Sequence, residues 1–67
     1  MSTADRIAAS MKAADLTPTE IAAATGISRA KVYRILKGDS DPRMDDLNRI
    51  AAALGVDVAT LTDRTAA

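Results

Sequence analysis

Apolar residues recur at three- and four-residue steps in successive stretches of the chain, with turn-forming residues between them. Ala4, Ile7, Ala8, Met11 and Ala14 form the first stripe, which predicts a core-facing helix from about Ala4 to Ala14, capped by Ser2 or Thr3. Leu16 and Thr17 connect it to the next element. Thr17-Pro18-Thr19-Glu20 combines a hydroxyl cap, proline at the first helical position and an acid at the third, so a second helix must begin at Pro18. This helix is short, with Ile21, Ala22 and either Ala24 or Thr25 inward, and Gly26 stops it by taking a left-handed conformation that other residues resist.

Ile27 returns to the core and Ser28 caps a third helix, spanning about Arg29 to Lys37 and ending at Gly38. Helical spacing puts Val32, Ile35 and Leu36 on one side, Ala30, Arg34 and Lys37 opposite, and Lys31 and Tyr33 on the flanks. One side is core and the other is cationic. The turn-rich Asp39-Ser40-Asp41-Pro42 leads to a fourth helix marked by Met44, Leu47, Ile50, Ala51 and Leu54 and stopped at Gly55. Asp45 and Asp46 lie in its first turn, where the helix dipole favours acids. Asp57 caps a last short helix, Val58 to about Thr62, and Asp63 to Ala67 reads as a frayed tail. Both Met11 and Met44 are expected to fill gaps in the core. The core list is Ile7, Met11, Ile21, Ile27, Val32, Ile35, Leu47, Ile50, Leu54 and Leu61.

Composition agrees with an all-α domain. Apolar residues make up 48% of the chain, yet Tyr33 is its single aromatic, so the core is built from Ala, Leu, Ile, Val and Met. The 67 residues are expected to form one domain, 1–67, because so short a chain cannot enclose a second core. The sequence contains no Cys and no His, which removes disulfides, thiolate nucleophiles, imidazole bases and most transition-metal sites. With one Glu and no phosphate-cradling glycine loop, little material for a catalytic site is left, and no enzyme, cofactor or metal is expected. No stretch has the length of a signal sequence or a membrane span, so a soluble, cytoplasmic protein is expected.

The formal net charge is zero, which taken alone argues against nucleic acid. Its distribution argues otherwise. Residues 28–37 contain Arg29, Lys31, Arg34 and Lys37 and no acid, a local +4, whereas residues 38–67 hold six Asp against three Arg, a local −3. Two short helices joined by a glycine turn, with the second basic on its outer face, form the unit that places a helix in the DNA major groove.

The ordered set Leu16-Thr17-Pro18-Thr19-Glu20-Ile21-Ala22, Gly26-Ile27-Ser28-Arg29, Val32-Tyr33-Arg34-Ile35 and Gly38 resembles the lambda-repressor/Cro type of helix-turn-helix domain. The similarity continues through Pro42 and Leu47 to Ile50-Ala51-Ala52-Ala53-Leu54-Gly55-Val56 and covers about residues 4–62, with the helix-turn-helix itself at about 17–38. It implies a compact five-helix domain of bacterial or phage regulators that binds double-stranded operator DNA, commonly as a homodimer. No membrane or small-molecule partner is implied.

Carried over by position, Arg29, Ala30, Lys31, Tyr33 and Arg34 fall where that family's recognition helix meets base edges or nearby phosphates. Arg29 and Arg34 are the first choice as readers, since arginine forks onto guanine O6 and N7. Tyr33 is either a phosphate partner or an apolar contact for a thymine methyl. Thr17, Thr19, Ser28 and Lys37 are candidates for phosphate. Two departures stand out: Pro18 replaces a glutamine that often clamps the DNA backbone, and Asp39 and Asp41 follow the recognition helix where basic or polar residues are usual. They leave open a different class of function, a protein-interaction module or antitoxin-like partner that keeps the fold with weak or no DNA binding.

Overall fold

The computed structural model describes residues 2–62 as five helices, and no strand occurs among them. The expected tail at 63–67 lies outside the described residues. Helix α1 is Thr3–Ala14, α2 Pro18–Thr25, α3 Arg29–Lys37, α4 Met44–Leu54 and α5 Val58–Leu61. None of these helices is long and apolar enough to cross a membrane.

Local chemistry fixes the boundaries. At the start of α2 the Glu20 N–H donates to Thr17 Oγ1 at 3.2 Å and the Thr17 N–H donates to Glu20 Oε1 at 3.0 Å, closing the expected capping box. Ser2, the first of the two candidate caps, starts α1 and forms a similar box with Asp5. Gly26 ends α2 at φ 77°, a left-handed conformation that glycine adopts without steric cost. Asp57 sits at the N-cap of α5, but its side chain makes no capping hydrogen bond.

All ten apolar residues of the expected core are buried, joined by Ala22 and Ala51. Ile7, Ile21, Val32, Ile35, Ile50 and Leu61 are the largest fully enclosed side chains, each stabilised by about 1.5–3 kcal/mol relative to exposure. They seat α3 on α1 and α2, while α4 packs against α2, α5 and α1. Leu36 is half-buried at the edge of this cluster.

Two further expectations are corrected, for Met44 and for the stripe of α1, and one open alternative is resolved. Met44 is 47% exposed and is not a core residue; it occupies the first position of α4, beyond the reach of the other helices' apolar faces. Ala8 and Ala14 also lie outside, so the inward stripe of α1 narrows to Ile7 and Met11, with Ala4 half-buried. Of the pair Ala24 and Thr25, it is Thr25 that turns inward.

Candidate nucleic-acid interface

The turn between α2 and α3 is fastened by one buried hydroxyl. Thr25 Oγ1 donates to the Ile21 carbonyl at 2.7 Å and accepts the Ile27 N–H at 3.2 Å. The group is therefore satisfied in both senses, and it ties the last turn of α2 to the residue that precedes the cap of α3. Ser28 then caps α3 by accepting the Lys31 N–H at 3.2 Å. Val32 and Ile35 face the core, which directs the opposite face of α3 outward.

Arg29, Ala30, Tyr33, Arg34 and Lys37 are all exposed on α3. Their spacing of three and four residues gathers them on one side of a nine-residue helix, about 13 Å long. Tyr33 is 47% exposed, an amphipathic ring beside the two arginines. Arg34 and Lys37 occupy the last turn, where the negative end of the helix dipole favours cations. Among the described residues, Arg29, Arg34 and Lys37 make no ion pair with any acid. Thr17, Thr19 and Ser28 are exposed near the N-termini of α2 and α3, with the Thr17 and Ser28 hydroxyls occupied as caps.

Lys31 is placed differently. Its Nζ lies 3.1 Å from Asp46 Oδ2 in the first turn of α4, so the cationic face presents three unpaired charges rather than the four counted along the sequence. Asp46 is 7% exposed, and the same oxygen accepts the Arg43 N–H at 3.4 Å. Burial alone would push its carboxyl up. The Lys31 hydrogen bond, the Arg43 N–H and the charges of Lys31 and Arg49 outweigh burial and hold it below the ordinary aspartate value. Dipole compensation, which sequence assigns to both acids, thus describes Asp45 better; that residue is exposed and pairs with Arg49 at 3.4 Å.

Sequence does not single out Arg43, and it offers Thr25 only as one of two candidates to turn inward. Arg43 is an exposed cation at the N-cap of α4 with no ion-pair partner among the described residues. Counting back from the acidic first turn of α4 would have placed it at that helix end. Away from this face, a cleft between the start of α1 and the α3–α4 loop is lined by Ser2, Thr3, Ile35, Ser40, Asp41 and Pro42, and among the described residues Asp41 is the one ionisable side chain on it.

A short capped helix, a left-handed turn and a second helix with a cationic outer face define a helix-turn-helix domain, a class of DNA-binding fold. The family model described as a helix-turn-helix domain matches residues 4–64, and the chain belongs to this family. No curated protein and no solved structure gives a significant match.

Proposed function

We propose that this protein is a sequence-specific, double-stranded DNA-binding transcriptional regulator, a Cro-like repressor that lays α3 in the major groove and binds its operator as a homodimer. One observation carries the reading: Arg29, Tyr33, Arg34 and Lys37 project together from the second helix of the motif, with no acid among the described residues paired to the cations. A helix about 10–12 Å across fits a groove about 12 Å wide. Arg29 and Arg34 read base edges, Ala30 allows close approach, Tyr33 contacts a thymine methyl or a phosphate, and Lys37, Thr19 and the amide ends near Thr17 and Ser28 meet the backbone. Arg43 adds a cation outside the motif. The protein acts in the cytoplasm as a binding module and not as a catalyst.

Selection of bound sequences from a random duplex pool tests this reading. The expected product is a two-fold symmetric motif whose half-sites lie about one helical turn, roughly 34 Å, apart. A pool that stays unenriched at low salt overturns it. In that case the exposed Asp39 and Asp41 beside the end of α3, together with Pro18 at the start of α2, favour the second reading, a protein-interaction module or antitoxin-like partner.

A further inference from the structure

The link between Lys31 and Asp46 joins two helices whose backbones stay apart. No Cα of α3 comes within 8 Å of a Cα of α4, so the lysine side chain spans the gap to reach the carboxylate at 3.1 Å. Asp46 cannot easily release its partner, because its side chain, 10% exposed, loses much of its hydration and needs a compensating cation. Asp45, one residue earlier, is exposed and has Arg49 beside it. The two adjacent acids therefore carry the same charge in different circumstances.

Lys31 sits between Ala30 and Val32 on the recognition helix, three residues before Arg34. A free lysine there would be a flexible point charge that accepts any phosphate, whereas an arginine fork distinguishes guanine. Phosphate contacts raise affinity for all sequences alike.

We propose that Asp46 is a specificity-determining residue that acts through Lys31. By holding the ammonium, it masks this cation from the DNA backbone and leaves discrimination to Arg29, Arg34 and Tyr33. The inference rests on α3 being the recognition helix. Asp46 touches no DNA in this scheme and is a positioning residue.

The test measures binding to the selected site and to random duplex across a salt series. The proteins are wild type, Asp46→Asn, Asp45→Asn, Lys31→Gln and the Lys31→Gln, Asp46→Asn double variant. Asp45→Asn changes the formal charge by the same amount and also frees a cation, Arg49 of α4, so it reports the long-range field without releasing any cation of α3. Asp46→Asn is expected to bind random duplex roughly three- to tenfold tighter than Asp45→Asn, with a salt slope steeper by about one phosphate. Its preference for the selected site falls, and Lys31→Gln abolishes the gain. Circular dichroism confirms that each variant is folded at the assay temperature.

A gain no larger than that of Asp45→Asn, a gain that survives Lys31→Gln, or weaker binding to both duplexes overturns the proposal. Retention on immobilised heparin, a polyanion without bases, separates the masking from the recognition reading. A protein that selects no DNA sequence yet whose Asp46→Asn variant elutes later than Asp45→Asn has lost the recognition reading and kept the masking. Equal elution of the two variants overturns the masking whatever the DNA result.

Discussion

The Ile27 N–H donates to the buried hydroxyl of Thr25 at 3.2 Å, across the glycine that separates α2 from α3. Because Thr25 Oγ1 also donates to Ile21 at 2.7 Å, a single side chain fixes the direction in which the chain leaves α2. Replacing it by valine keeps the shape and removes both bonds, leaving the Ile27 N–H without its partner. Thr25→Val should cost about 1–3 kcal/mol, read from urea unfolding, while Thr25→Ser keeps the hydroxyl and costs less. Equal losses for the two variants would show that the methyl group, not the hydroxyl, holds the turn.

Asp15 closes α1 in a left-handed conformation, φ 57°, and is the one residue other than glycine with positive φ among the described residues. Its side chain is strained there, and its negative charge adjoins the negative end of the helix dipole. Asp15→Gly removes both penalties. Glycine adds conformational entropy to the unfolded chain, which offsets part of this relief, so a net gain of about 0.5–1 kcal/mol is expected, or about 2–8 °C in thermal midpoint for a domain of this size. A lower midpoint would mean that the carboxylate makes a compensating interaction in solution.

Much of this architecture is legible in the sequence because its signals are local. Thr17, Pro18 and Glu20 announce a helix start within four residues, and Gly26, Gly38 and Gly55 each end a helix with positive φ. The outward cationic face of α3 follows from periodicity once Val32 and Ile35 are assigned to the core. Met44 breaks the pattern because periodicity continues the α4 stripe past the point where neighbouring helices can cover it. Ala8 and Ala14 mislead because alanine is tolerated equally well inside and outside. The Lys31–Asp46 pair was hidden for another reason: its partners lie on different helices, and nothing local separates Asp46 from Asp45.

That pair also predicts acid sensitivity. Burial raises the carboxyl of Asp46, but the Lys31 hydrogen bond and nearby positive charge bring the net value below the ordinary 3.8. The unfolded chain therefore takes up a proton at this site at higher pH than the folded one. Stability from Asp46 is complete above the unfolded value and is lost as pH falls through the folded value. In acid titration of unfolding free energy, Asp46→Asn should flatten the decline below about pH 4, and it should lower stability at neutral pH by about 1–2 kcal/mol, between exposed and buried pairs. An unchanged acid limb would assign the decline to other carboxylates.

The last prediction separates reading from clamping along α3. Arg29 is in the first turn, and Arg34 lies on the same outward face more than one turn further on. In a helix that enters the groove by its N-terminal end, both can reach base edges, whereas Lys37, the final residue of α3 and three residues beyond Arg34, is leaving the groove and meets phosphate. Arg29→Ala and Arg34→Ala should each cost about 1–3 kcal/mol at the selected site and relax preference at one base position. Lys37→Ala should weaken binding to every sequence alike and reduce the salt slope by about one phosphate. Each variant is measured against the selected site, its single-base variants and random duplex across a salt series. If the arginine variants lose affinity equally for all three, the arginines are clamps. Discrimination then falls to Tyr33 and to the shape of the DNA, since Lys31 is already engaged by Asp46.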